Sequence, residues 1–355
     1  MERMVKIHTV KSGAGRVCLG FSLAVCLLLT GCQSTVSRST RGDVPGWQGS
    51  NASGAQFFAP AAWRHMRALN KIGSRVSGSE GSAQFRKYLR SSLSEFEIEL
   101  KEREVSVADN AGKSFKLTHL TAVIPGHSRD VLLLAAHYDT SPEALSAPSL
   151  NDQRASGAAL LLELARALAA GTTPSYTIWL SWIDGDALEA SPGTPSQARL
   201  GSQSLLDEWI VEQEFSRIRS AIFFGNVGER DRPVVRDINS PRIYREIFWE
   251  SAHDLGYVET FPADSHYEEL ETGRKIFAEA SLRASIALAN QQCSQAEAPV
   301  AASRSEIGGQ PRRLSAGFEA VGNVTLEALA RIAGRLQKID HFAQSPLTAG
   351  REISP

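Results

Sequence analysis

A chain of 355 residues, 42% hydrophobic and 22% charged, holds enough material for one large globular domain or two small ones. Its 38 basic and 39 acidic side chains nearly cancel, so nothing in the overall charge calls for nucleic acid as a partner, and any basic patch has to be local.

The N-terminus departs from this ordinary composition. Lys6, Lys11 and Arg16 precede an apolar run from Val17 to Leu29, which closes on Leu29-Thr30-Gly31-Cys32. The run is too short for a comfortable membrane span and has the layout of a secretory signal over residues 1–31. Its end is similar to the bacterial lipobox, a resemblance that implies lipidation of Cys32 as the mature N-terminus. Gln33 and Ser34, where an Asp would retain the protein at the inner membrane, imply an outer-membrane location facing the periplasm. Cys18 and Cys26 fall within the signal, so Cys293 is left without an intramolecular partner. Its flanks offer neither a helix start nor a basic residue to lower a thiol pKa, and it reads as an unpaired structural cysteine.

Residues 32–56 are rich in Ser, Thr, Gly and Arg without hydrophobic period, which predicts a flexible tether. A single folded domain is expected over 57–340, followed by a tail, 341–355. Helical spacing runs from Ala61 to Ile72 and from Ser82 to about Phe96, with a Gly- and Ser-rich loop between them. Glu97 to Val107 and Ser114 to Val123 predict a hairpin about Asp109-Asn110-Ala111-Gly112. Val131 to Ala136, Tyr176 to Ile183 and Arg219 to Phe224 read as strands. Ala155 to Ala169, Ser202 to Val211, Ile243 to Leu255 and Ala316 to about Leu336 read as helices. The alternation predicts an α/β domain with a mixed, mostly parallel β-sheet and helices on both faces.

The candidate site lies at strand ends. VLLLAAHYDT presents His137 and Asp139 just beyond a strand, Asp152 precedes the next helix, and Asp184-Gly185-Asp186-Ala187 closes another strand. Open α/β sheets hold metals and substrates at the carboxyl ends of their strands. Trp179 and Trp182 sit inside a predicted core strand and are read as core.

These parts, with GSRVSGSEG, NDQRASGAALLLELARAL, LGSQSLL and LSAGFEAVGNVTLEALARI in this order, resemble the zinc-dependent aminopeptidase and glutaminyl-peptide cyclotransferase superfamily, from about Trp63 to Arg335. The long insert after Asp186 and the Asp264-Ser265-His266 triplet lean towards the cyclases. The resemblance implies the zinc exopeptidase fold and metal-assisted chemistry, in which zinc polarises a carbonyl and a carboxylate moves the proton.

By that resemblance His137 and Asp152 fall on metal ligands, Asp139 on the aspartate that orients the histidine, and Asp186 on the catalytic base. Asp264 and His266 fall on a supporting motif behind the ligands. The pattern then departs from the family. Asp186 stands for a Glu and is shorter by one methylene, about 1.5 Å. Ala187 stands for a ligand carboxylate, Gly225-Asn226 for an acidic position, and a residue near Ser305 for the last histidine. One extra residue between Asp152 and Glu163 also shifts the spacing. Zinc needs at least three protein donors in a catalytic site. The expectation is therefore zinc absent or weakly held, with the His137–Asp139 pair kept as structure. The cleft is expected to retain a peptide amino terminus or a small amine-bearing ligand, or to serve as a scaffold. An active cyclase or aminopeptidase with ligands rebuilt from Glu189, Glu229, Asp264, His266 or Glu306 is the competing expectation, and no G-x-S-x-G elbow supports a serine hydrolase.

Overall fold

Continuous apolar runs without polar alternation belong to strands covered on both faces, and two strands of this kind form the centre of the sheet. The computed structural model describes residues 56–108, 112–141, 155–188, 199–228, 232–290 and 316–343. Its strands are β1 (Glu99–Ala108), β2 (Ser114–Ile124), β3 (Ser128–His137), β4 (Tyr176–Ile183), β5 (Ile218–Phe224), β6 (Arg236–Asp237), β7 (Tyr267–Glu268) and β8 (Ser285–Leu288). Six of them make one sheet in the order β1-β2-β4-β3-β5-β8, and β6 and β7 pair separately. β1 with β2 and β2 with β4 are antiparallel, whereas β3 runs parallel to both β4 and β5, and β5 parallel to β8. The sheet is mixed and mostly parallel, as its sequence pattern predicts.

The helices are α1 (Ala59–Ile72), α2 (Glu80–Ser94), α3 (Ser156–Ala169), α4 (Leu200–Val211), α5 (Arg242–Leu255), α6 (Arg274–Glu279) and α7 (Ala316–Ala343). Because successive strand residues point to opposite faces, β3 divides cleanly. Leu132, Leu134 and Ala136 join a core with α1, α2, α3, α5 and α7. Val131, Leu133 and Ala135 join a smaller core with Leu205, Leu206 and Trp209 of α4 and Phe277 of α6. The two tryptophans of β4 serve opposite layers: Trp182 donates its indole N–H to the Ala158 carbonyl at 3.0 Å, and Trp179 lies 5.2 Å from the ring of Trp209. Both belong to the core, as expected.

Local chemistry sets the element bounds. Ser79 caps α2 by accepting the Ser82 N–H at 3.2 Å, so that helix begins two residues ahead of the spacing that predicts it. α7 continues past Leu336 to Ala343 and is fastened to the sheet by a cluster at the amino ends of the strands. There Arg219 of β5 reaches Asp130 at 2.7 Å and Asp340 at 2.6 Å. Burial first, and then the Asp340 carboxylate, push the Tyr176 hydroxyl in the same cluster up to about 12. The hairpin pairs Glu99 with Val123 through Ala108 with Ser114, in the expected place.

Core position and surface position separate by mutation. Leu134→Ala, at a fully buried site, is expected to lower the unfolding free energy by about 3 kcal/mol. Val211→Ala, 82% exposed, is expected to change it by less than about 0.5 kcal/mol. Urea unfolding of both variants checks the assignment of layers.

Candidate functional site

Parallel strands β3 and β4 end side by side, with His137 in register with Ile183, so the residues that follow each strand converge. Those residues are acidic and buried: Asp139, Asp184 and Asp186 are 0%, 0% and 7% exposed. A buried carboxylate is costly unless it is hydrogen-bonded, and each of the three is.

Asp139 accepts the Ala187 backbone N–H on Oδ2 at 2.8 Å. Its Oδ1 lies 3.3 Å from Nδ1 of His137, which also approaches the Asp139 carbonyl at 3.2 Å. The aspartate thus faces Nδ1 of the imidazole, and Nε2 of His137 has no hydrogen-bond partner among the described residues.

Asp184 accepts the Ser77 hydroxyl at 2.7 Å on one oxygen and the Thr118 N–H at 2.9 Å on the other. Its carboxyl is pushed up to about 7, first by burial and then by the Asp139 carboxylate beside it. Asp184 is therefore a buried fastener rather than a solvated strand end. Its own N–H is donated to Nδ1 of His119 at 3.3 Å. That bond makes Nδ1 the acceptor and Nε2 the donor, to Ser204 Oγ at 2.9 Å, and Ser204 in turn donates to the Gly201 carbonyl at 2.9 Å. Burial pushes His119 down to about 4, so the ring is neutral at pH 7.

Asp186 has both oxygens engaged by a single residue. Ser202 donates its backbone N–H at 2.7 Å and its hydroxyl at 2.6 Å. Ser202 is the third residue of α4, and no side chain at the start of that helix caps it. The carboxylate supplies the missing acceptor at the positive end of the helix. Gly201 permits the approach, since a Cβ there would lie 2.1 Å from the Asp184 carbonyl oxygen. Gly185 makes the turn at φ +91°, in the left-handed region. Arg199 closes the edge, donating to the Asp186 carbonyl at 3.2 Å and to the Glu271 carbonyl at 2.5 Å.

The loop GSRVSGSEG locks the same strand ends from below. Arg75 is fully buried and donates Nε to the Tyr138 carbonyl at 2.8 Å and Nη1 to the Gly73 carbonyl at 2.7 Å. Its backbone N–H reaches Thr140 Oγ1 at 2.8 Å.

Of the sequence-derived positions, His137, Asp139 and Asp186 come together here. Asp264 and His266 are exposed side chains on the segment leading into β7, held there by the buried Ser265, whose hydroxyl donates to the Pro262 carbonyl at 2.8 Å. Among the described residues, neither has a hydrogen bond or ion pair to His137, Asp139 or Asp186. Asp152, the segment around Ser305, Glu189, Glu229, Glu306, Cys293 and Cys32 lie outside the described residues. Ser77, Thr118, His119, Ser202 and Arg199 were not singled out from the sequence. The one signal for Ser202 is its place at the start of a predicted helix after a glycine.

A zinc ion is poorly served by what is described. No group of three or more His, Cys, Asp or Glu side chains among the described residues is arranged to hold a metal. Asp139 and Asp186 are engaged by protein donors, Ala187 has no ligating atom, and Gly225 follows β5 where a carboxylate would be needed. The described residues do not by themselves make a zinc site.

The fold agrees with what comparison finds. The model of peptidase family M28 matches residues 119–285, somewhat less than half of the chain. Among solved structures, a glutaminyl cyclase from an Acidobacteriales bacterium superposes with a TM-score of 0.67 at 18% identity, covering 84% of this chain and 100% of its own. A zinc-dependent exopeptidase from Parabacteroides distasonis gives 0.63 at 20% identity, covering 78% and 98%. A leucine aminopeptidase precursor from Bacteroides thetaiotaomicron gives 0.62 at 21%, covering 78% and 97%. At these identities the likeness is one of fold, and the fold is the zinc exopeptidase fold expected from the sequence. No curated protein matches the chain.

Three substitutions test the roles of the strand-end carboxylates and of the serine that binds one of them. Asp186→Ala strands the Ser202 N–H and is expected to cost about 1–3 kcal/mol of stability. Ser202→Ala keeps the backbone bond and costs less, as urea unfolding will show. Asp184 has a folded-state pKa above its unfolded value, so its contribution to stability is full below about pH 4 and is lost as pH rises to about 7. His119 acts with the opposite sign, losing stability as pH falls from 6.5 towards 4. Asp184→Asn is therefore expected to gain on the wild type by about 1.4 kcal/mol per pH unit as pH rises through that window. A difference independent of pH would contradict the burial account of Asp184.

Proposed function

We propose that this protein is a lipid-anchored envelope member of the glutaminyl cyclase and aminopeptidase group whose zinc centre is degenerate. Its cleft binds a peptide amino terminus or a small amine in place of turning over substrate. The observation that carries the reading is the engagement of Asp139, Asp184 and Asp186 by backbone N–H and hydroxyl donors. Losing a divalent cation while keeping carboxylates leaves a cleft of negative potential. Such a cleft favours a singly charged ammonium over a second anion. The resemblance to cyclases and aminopeptidases, whose substrates present an α-amine, makes a peptide amino terminus the natural occupant.

The anchor is proposed from Leu29 to Cys32 in the sequence, with the outer membrane as its location. No helix among the described residues is long and apolar enough to cross a membrane.

Calorimetric titration of the mature chain with Gln-Ala-Ala, and with the same peptide acetylated at its N-terminus, tests the function. Expected are saturable binding of the free peptide that survives chelator, at least tenfold weaker binding of the acetylated one, and no cyclised or trimmed product by mass spectrometry. Equal binding of the two peptides would reject amine recognition. Zinc-dependent product would establish the active cyclase or aminopeptidase with displaced ligands.

A further inference from the structure

A cavity of about 290 Å³ lies among α1, α2 and α3, sharing no residue with the strand-end site. Its base is Glu163, a fully buried carboxylate in the middle of α3. Glu163 is fully engaged: it accepts the Phe58 N–H at 2.7 Å and bonds from Arg166 at 2.9 and 3.0 Å. Arg166 also donates to the Gln56 carbonyl at 2.7 Å. This pair is closed and neutral, and leaves the rest of the wall to determine what the cavity accepts.

That wall has an excess of donors. Arg64 of α1 has no hydrogen bond or ion pair among the described residues, and its guanidinium lies 5.7 Å from the centroid of the Phe58 ring. His65 Nδ1 is 2.7 Å from the Tyr88 hydroxyl. With the Tyr88 hydroxyl as the donor of this bond, Nδ1 of His65 is the acceptor and the ring N–H lies on Nε2. Among the described residues that N–H has no acceptor. Ser91 adds a hydroxyl, and Phe96, Tyr88 and Ala61 add apolar surface.

We propose that this cavity is a binding site for a small organic carboxylate, held by Arg64 and by the Nε2–H of His65. The planar guanidinium fork matches a carboxylate. Glu95 on the rim disfavours a doubly charged phosphate and leaves a singly charged acid as the better fit. The volume is near the lower end for ligand sites, which suits one aromatic ring or a short chain rather than a peptide.

Proton coupling follows from the same geometry. His65 is pushed down to about 4 by burial first and then by Arg64 and Arg166. The other groups facing it are Tyr88 on α2, Glu95 just after it and Glu163 on α3. A bound carboxylate offsets the two arginines and favours the protonated ring, so binding takes up protons and tightens as pH falls.

Benzoate added to the mature protein, followed by ¹H–¹⁵N NMR of the histidine rings, tests the site. Expected are a His65 N–H on Nε2 before addition, saturating shifts at His65, and a His65 pKa raised by at least one unit at saturation. Arg64→Ala should weaken binding at least tenfold without moving the thermal midpoint, and Arg64→Lys should fall between. A His65 proton on Nδ1, saturation at His137 in place of His65, or unchanged affinity in Arg64→Ala would overturn the proposal. The peptide titration of the strand-end cleft is independent of all of these outcomes.

Discussion

Everything at the carboxyl edge of this sheet answers to one constraint: three aspartates, Asp139, Asp184 and Asp186, are buried together. A carboxylate removed from water must find donors or keep its proton. Asp139 takes a backbone N–H and a histidine, Asp184 takes a serine, a backbone N–H and an elevated pKa, and Asp186 takes the start of a helix. The bonds that satisfy these charges also hold the fold's pieces in place. The loop around Arg75, the hairpin strand β2, the turn after β4 and helix α4 all meet at these side chains. The strand-end carboxylates thus act as a set of structural fasteners.

How much of this the sequence revealed depends on the range of the interaction. Apolar runs and their spacing locate β3, β4 and α3, because burial on both faces leaves a continuous local signal. β8 and α6 escape because four and six residues are too few to carry a period, and their places are set by neighbouring layers. Asp139 was legible as the partner of His137, two residues away. The partner of Asp186 was not, because Ser202 lies beyond a long Ser/Pro/Gly-rich insert and only folding brings the helix start onto the strand end. His119 was invisible for a similar reason. It sits in an alternating strand and becomes notable only when β2 and β4 align it with the Asp184 amide.

The family resemblance and the geometry answer different questions. The M28 match and the superposed cyclase and aminopeptidase precursor bear on the fold. The bonding of the strand-end acids bears on what they do now. Ala187 illustrates the difference: as a side chain it has nothing to offer a metal, yet its backbone N–H is the donor that Asp139 uses. The Asp186 carboxylate likewise accepts from Ser202 at 2.6 and 2.7 Å.

The proposal that these carboxylates fasten the fold rather than bind metal is tested most directly by the thermal midpoint of chelator-treated mature protein against free zinc. A metal bound only by the folded chain at a hundredfold its Kd adds about 2.7 kcal/mol, enough to move the midpoint by several degrees. The account predicts no shift up to about 100 µM free zinc, a level at which any site with a Kd of about 1 µM or tighter would register. A saturable rise of several degrees that disappears in Asp152→Ala would contradict it.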